Sequence, residues 1–429
     1  MSTATHLRKG HLPLSVLLKL AWRNLWRNRK RTVITLTTIA IGFGLAVLFI
    51  GIGDGVHNSM IRNAIQLGEG HLTVQPKNYQ AAPSNHEFLA DGKRLSKQLN
   101  ALGIDGQVAP RIVLQVLAST ASNSIGAGVS GIDIERDPRV KKLKPFLQQG
   151  HWLKHGDLRG ILIGSGMARK LKAKVGSKIV LMAGKQGGDS QAQLARVRGI
   201  FHAQMPDMND FLIISNLPFA RQFLVGEGAE ASKDPVTRFA IFLNQPDDMS
   251  EWQAKLKKAV TDPNAAVLDW REMMPQLVQF IVLDDAGNYV FLSLILIMVV
   301  FGIVNTVLMS VLERTREFGL LRALGLSRGQ LLLLVFCESL LLSLLAVGFG
   351  WLVGGGTHLW FSHHGIDFSA MMSEGTVLMG TMMDTVVYTE LSWDRVEQLT
   401  LIVFAATLTT GIYPAIKAAK VTPVEALHT

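Results

Sequence analysis

Few residues in this chain have the chemistry to catalyse or to hold a metal, and most of them lack the spacing for it. The glycine-rich run GKQGGDSQ, beginning at Gly184, lacks the Lys-Ser/Thr pair that closes a phosphate loop. That route to ATP hydrolysis is therefore closed. None of the twelve histidines stands in HExxH; His363 and His364 are adjacent, and adjacent side chains on a helix or strand do not share a face. GVSGID and GSGMA contain Gly and Ser without the GxSxG spacing of a nucleophile elbow. Met371, Met372, Met379, Met382 and Met383 crowd one stretch and have the softness to hold a soft metal, but adaptable packing is the simpler use of methionine. The residues predict a non-catalytic chain without a metal or cofactor of its own.

Two charged features remain. Glu338 is the one carboxylate inside an apolar run, and an ionisable group there points to function or to a buried partner. Both a structural role and a role in coupling or conduction stay open. The second feature is ERTREFGLLRALG, Glu313 to Gly325. Glu313 can pair with Arg316, and Glu317 stands three residues past Arg314. Phe318, Leu321 and Leu324 keep an apolar stripe, and Gly325 is a helix stop. A short helix carrying both signs of charge suits a seat for a separate soluble protein; a solvated connector is the alternative.

The elements around these residues are membrane spans. A helix needs roughly 20 apolar residues to cross the ~30 Å hydrocarbon core. Thr32 to Gly53, Ala286 to Leu312, Ser339 to Thr357 and Gln398 to Ile416 carry no charge. They predict spans at 32–53, 286–312, 331–357 and 398–416, the third including Glu338. Span one is expected to be an uncleaved anchor, because its apolar run exceeds a signal-peptide core and no small-residue cleavage site follows. The net charge of +10 does not indicate nucleic acid, because its location is membrane-flanking. Arg8 to Arg31 precede span one with no acid among them; Arg314, Arg316, Arg322 and Arg328 lie between spans two and three; Lys417 and Lys420 follow span four. Residues 1–31, 313–330 and 417–429 are thus predicted cytoplasmic, and 54–285 and 358–397 extracytoplasmic. Leu14, Leu17, Leu18, Ala21, Trp22, Leu25 and Trp26 recur at helical spacing opposite Lys19, Arg23, Asn24 and Arg27, which predicts an amphipathic helix in the cytoplasmic interface. Gly350 and Gly354 form a small-xxx-small pair that lets helices approach.

The stretch 54–285 alternates strand and helix signals. GHLTVQP, ARVRGIF, FLIIS and RFAIFL read as strands. Phe88 to Leu102, ended by Gly103, and Asp248 to Val260 read as helices, and Gly184 to Ser190 as a loop. The fold class expected is an integral membrane α-helical protein with four transmembrane helices and a large α+β extracytoplasmic domain between the first and second. The single cysteine, Cys337, excludes an internal disulfide, so that domain must stand on its own core.

VNTVLMSVLERTREFGLLRALGLSRGQLLLL and the closing GIYPAIKAAKVTPVEAL resemble the core and terminal motifs of the FtsX-like permease family, which includes the LolC/LolE lipoprotein-releasing and MacB-type permeases. AWRNLWRNRKRT, GHLTVQP and ILIGSGMARKLKAKVGSKIVLM resemble its opening and its periplasmic domain, so the resemblance covers nearly the whole chain. It implies a permease subunit in the inner (plasma) membrane. Its coupling helix would carry Glu313, Arg314, Arg316, Glu317, Phe318, Gly319, Arg322 and Gly325 onto a partner ATPase that binds the ATP and Mg. A second permease copy or paralogue, membrane lipid, and a periplasmic adaptor or carrier are the other implied partners. Leu45, Phe49, Phe291 and Ile295 would border a cavity from which lipoproteins or other amphiphiles are extracted. A mechanotransmitting subunit with no transported substrate is the alternative. An ion-coupled transporter would need repeated halves and midplane charges, and a hydrolase a catalytic set; neither pattern is present.

Overall fold

The uncharged runs fold as long helices, and the charged segments between them build a sheet. The chain is described here from a computed structural model over residues 13–80, 83–184, 190–203, 205–224, 233–323, 325–370, 377–378 and 381–419. Helices α1 (Leu14–Leu25) and α2 (Arg29–Leu67) come first. Next are β1 (Leu72–Pro76), α3 (Gly92–Ala101), β2 (Gly106–Ser119), β3 (Ser124–Ile132), α4 (Arg139–Leu143), β4 (Leu147–Gly150), β5 (Gly160–Gly164), α5 (Ser165–Leu171), β6 (Lys178–Gly184) and β7 (Ser190–Phe201). Then follow α6 (Pro206–Phe211), β8 (Leu212–Asn216), α7 (Leu217–Arg221), β9 (Arg238–Leu243), α8 (Met249–Ala259), β10 (Ala265–Asp269) and α9 (Trp270–Met273). The chain continues through α10 (Pro275–Glu313), α11 (Thr315–Ala323), α12 (Arg328–His364), α13 (Trp393–Thr410) and α14 (Ile412–Ala419). It divides into two compact units, one of 1–57, 282–367 and 386–429, the other of 58–281 and 368–385.

Among the described residues four helices are long and apolar enough to cross a membrane: Arg29–Leu67, Pro275–Asn305, Arg328–His364 and Trp393–Lys417. All four begin before their uncharged cores. Helix α2 continues to Leu67 because Met60 and Ala64 keep the apolar spacing and are buried. Helix α10 begins early, at Pro275, where a proline is preorganised for the first helical position. The amphipathic helix is separate from the first long one: α1 ends at Leu25, and α2 begins only at Arg29.

In the helical unit, α12 packs on α2 through glycines. A Cβ on Gly350 would lie 2.1 Å from the Phe43 ring, and one on Gly354 2.9 Å from Val47. The small-xxx-small pair thus marks a close crossing. Phe43, Ala46, Val47, Leu292, Leu399 and Val403 form the core beside it. A second cluster joins Leu17 and Ala21 of α1 to Phe318, Leu331, Leu334 and Val335. The outward faces of α2 and α10 are apolar and exposed, with Ile34 65%, Leu45 55%, Met298 68% and Phe301 72% accessible. So large an apolar surface needs lipid or another protein against it.

The other unit is a ten-stranded sheet in the order β10-β1-β9-β2-β3-β8-β5-β7-β4, with β6 bridging β2 and β7. Strand β2 serves two neighbourhoods: Gly106 to Arg111 pair with β9, and Ile112 to Ser119 with β3. Pairs β3–β8 and β5–β7 are parallel and the others antiparallel. Of the helix expected from Phe88 to Leu102, only Gly92–Ala101 forms, since Leu89 instead bridges Val236. In the loop expected at 184–190, residues 185–189 lie outside the described residues, as do Met371, Met372, Met379 and Leu324.

Candidate coupling site

The segment between α10 and α12 is held by local motifs at its end. Gly325 adopts φ +103°, the Gly325 N–H donates to the carbonyl of Arg322 at 3.1 Å, and the Leu326 N–H to that of Leu321 at 3.1 Å. These two bonds close α11 in a Schellman motif. Ser327 and Gln330 then form a reciprocal capping box that opens α12. Two fixed turns leave α11 little freedom apart from its neighbours.

Its charges are used inside the chain. Arg31 donates to both oxygens of Glu313, at 2.8 and 2.6 Å. Arg27 likewise grips both oxygens of Glu317. Arg314 bonds Glu317 at 3.2 Å and Glu338 at 3.1 Å, and the Asn24 amide donates to Glu338 at 2.7 Å. The Arg314 guanidinium also lies 5.1 Å over the buried Phe318 ring. A continuous chain of bonds therefore runs from the α1–α2 turn through α11 into α12. The hydrogen bonds from Arg27, opposed by partial burial and helped by Arg314, hold the Glu317 carboxyl below the usual carboxylate range. Those from Arg31 do the same for Glu313.

This geometry corrects one expectation. Glu313 ends α10 and pairs with Arg31, not with Arg316, because the helix break at Arg314 turns it toward α2. Phe318 and Gly319 are buried in the chain, where they seat α11 on its neighbours. The outward stripe of α11 is Arg316, Leu320 and Ala323, one face by helical spacing, with Leu320 63% exposed. Among the described residues no carboxylate pairs with Arg316. Leu320 escaped sequence reasoning because an exposed leucine has the same letter as a buried one. Arg322 is half-buried and Gly325 exposed.

The four cavity residues separate. The Phe49 and Phe291 rings stack at 4.4 Å, and both are exposed, as is Leu45. Ile295 turns partly into the α2–α10 seam, where it meets Gly42. Glu338 is not orphaned, since Arg314 and Asn24 bond it. His364 stacks on Trp360 at 4.1 Å. Asp54, His57 and Asp285 place ligand atoms within 4.8 Å of one another, but Arg395 donates to Asp285 at 2.9 Å and lies 3.4 Å from Asp54. With a guanidinium already in place, this is an ion-pair network joining α2, α10 and α13.

A second network, absent from the sequence reading, stands where α2 ends in the sheet unit. Arg111, fully buried, binds both oxygens of Asp137 at 2.8 Å. Glu69 accepts from Arg111 at 3.3 Å, Arg139 at 3.0 Å and Arg238 at 3.1 Å. Arg111 and Arg139 both donate to the Gly68 carbonyl, as suits cations at a helix C-terminus. Burial pushes the Glu69 carboxyl up, but the three arginines outweigh it and hold it well below the usual range. Burial, with the neighbouring Arg111, lowers Arg139 to about 10.

A family model of the MacB-like periplasmic core domain matches residues 32–259, and one of the FtsX-like permease C-terminal region matches 289–423. An ABC transporter permease of Methanocaldococcus jannaschii is 23% identical over 419 residues, covering 96% of this chain and 97% of its own. The lipoprotein-releasing system transmembrane protein LolE of Haemophilus influenzae is 23% identical over 423 residues, covering 95% and 98%. The periplasmic region of MacB from Actinobacillus actinomycetemcomitans is a structural neighbour with TM-score 0.35 and 15% identity, over 52% of this chain and 98% of that one.

Proposed function

This chain belongs to the ABC transporter permease family that joins a MacB-like periplasmic core domain to an FtsX-like permease region, and from that premise we propose that α11 is the seat of a separate ATPase and α2 the element through which its motion is passed on. The ATP and Mg2+ would be bound by that ATPase. The observation that carries the proposal is the pair of two-pronged Arg–Glu bridges, Arg27–Glu317 and Arg31–Glu313, which ties the coupling segment to the start of α2. Helix α2 is unbroken over 39 residues, about 58 Å at 1.5 Å per residue. Its far end is clamped by Arg111 and Arg139. A displacement of α11 would pass through the two Arg–Glu bridges to the start of α2.

The substrate class that fits best is a lipoprotein or other amphiphile taken from the membrane beside Leu45, Phe49 and Phe291, where stacked aromatic rings are exposed. A second permease copy or paralogue would close that space. The continuity of α2 equally favours a force-transmitting subunit with no transported substrate. Photo-crosslinkers at Phe49 and Phe291, in vesicles holding this permease and its ATPase, separate the two readings. Capture of an acylated protein supports extraction, and capture of bulk phospholipid alone leaves the force-transmitting reading. The coupling proposal itself fails if Arg31→Ala and Arg27→Ala leave the ATPase rate and its response to substrate as they were.

A further inference from the structure

We propose that the sheet unit carries a binding site for a phosphate group on the exposed face of β6 and β7. Three cations border one concavity there. Lys178 and Arg196 are direct partners across the antiparallel β6–β7 ladder, so their side chains stand on the same face. The Arg196 N–H donates to the Arg159 carbonyl at 2.8 Å, and Arg159 lines the same concavity. Arg159, Lys178 and Arg196 are all exposed. With Arg198, Asp157, Leu158 and Leu194 they line a concavity of about 490 Å³.

The charge in this concavity is uncompensated. Its one carboxylate, Asp157, is taken by Arg198, whose hydrogen bond outweighs partial burial and keeps that carboxyl below the usual range. Among the described residues no carboxylate pairs with Arg159, Lys178 or Arg196. Like charges set directly opposite in a sheet repel and destabilise it. An anion placed between them converts that repulsion into attraction. Guanidinium groups match the paired oxygens of a phosphate, and Lys178 adds a point charge. Leu158 and Leu194, 50% and 41% exposed, give the rim an apolar shoulder. That shoulder suits a phosphate carried on an apolar body, although a free phosphate offers the same charge.

Isothermal titration of the full chain in neutral detergent tests the site, with inorganic pyrophosphate and short-chain phosphatidic acid as probes and short-chain phosphatidylcholine as control. The expected result is binding of at least one anionic probe that weakens with salt. In Lys178→Gln/Arg196→Gln the affinity should fall by about tenfold or more, a loss of order 1.4 kcal/mol. Lys255→Gln, on α8, should bind as the wild type does. Equal binding of both anionic probes marks a free-phosphate site, and binding of the lipid alone marks a headgroup site. The double variant without ligand should also unfold at a higher temperature than the wild type, because the repulsion is gone; Lys178→Gln alone should show both effects in smaller measure. Absence of binding by both anionic probes, or binding undiminished in the double variant, overturns the site.

Discussion

Arg27 and Glu317, separated by 290 positions in the chain, meet through two parallel hydrogen bonds. The pair lies on the surface, with side chains 57% and 41% exposed. A surface pair adds only about 0.2–1 kcal/mol to folding. Its importance is therefore positional: it fixes where α11 stands relative to the α1–α2 turn. Glu317→Ala is expected to leave the unfolding midpoint of the permease nearly unchanged. It should lower substrate-stimulated ATP hydrolysis by the reconstituted complex. The charge swap Arg27→Glu/Glu317→Arg should restore most of that stimulation, and a swap no better than the single variants removes the pair from the coupling path.

The two faces of α11 predict opposite phenotypes. Arg316→Glu and Leu320→Asp should weaken co-purification with the ATPase by about tenfold, the equivalent of 1.4 kcal/mol, while the permease remains folded. Phe318→Ala should instead destabilise by about 3–5 kcal/mol, because it empties a buried site. Thermal unfolding measured beside ATPase pull-down distinguishes the two. Equal loss of binding without loss of stability in Phe318→Ala would place the docking face elsewhere.

At the α2–α12 crossing, Gly350→Leu should abolish folded protein on size-exclusion chromatography, since even a Cβ would come within 2.1 Å of the Phe43 ring. Phe43→Ala is expected to recover part of the folded yield in the double variant. Wild-type behaviour of Gly350→Leu alone would show that the helices do not cross there.

The buried arginine network sets an acid limit. Glu69 is depressed below its unfolded value of about 4.3, so its contribution is complete above that pH and is lost as pH falls through the lower folded value. Thermal midpoints should stay level from pH 7 to about 5 and fall in stronger acid. Glu69→Gln should lower the midpoint at pH 7 and flatten the acid decline. Asp137→Ala, which strands the buried Arg111, should cost about 3–5 kcal/mol. An acid profile in Glu69→Gln parallel to the wild type would assign the decline to other groups.

Orientation rests on the Lys and Arg distribution around the spans. An impermeant thiol reagent applied from outside should label a cysteine at Ser122, which is exposed on the sheet unit, and should not label one at Ser327. Cys337 is buried and should add little background. Outside labelling at Ser327 would invert the predicted topology.

What the sequence alone determined is what a few consecutive residues can carry. Uncharged runs long enough for lipid become helices wherever the chain later packs them, and flanking Lys and Arg predict their sides. Gly325 ends α11 because the αL cap is a property of one residue and its neighbours. Gly350 and Gly354 announced a close approach, although not that Phe43 and Val47 would fill it. Partners needed the tertiary structure. Glu313 has a helical neighbour of opposite charge in Arg316, yet it binds Arg31, because the break after α10 and the packing of α2 bring that guanidinium nearer. Phe318, Gly319 and Leu320 are consecutive, and only the seating of α11 on its core decides that two are buried and the third faces out. Arg111, Asp137, Arg139 and Glu69, like the pair Lys178 and Arg196, come from separate segments that the sheet unit brings together. Local propensity operates within a turn or two of helix, whereas a charge finds its counter-ion only after strand register and helix crossings are set.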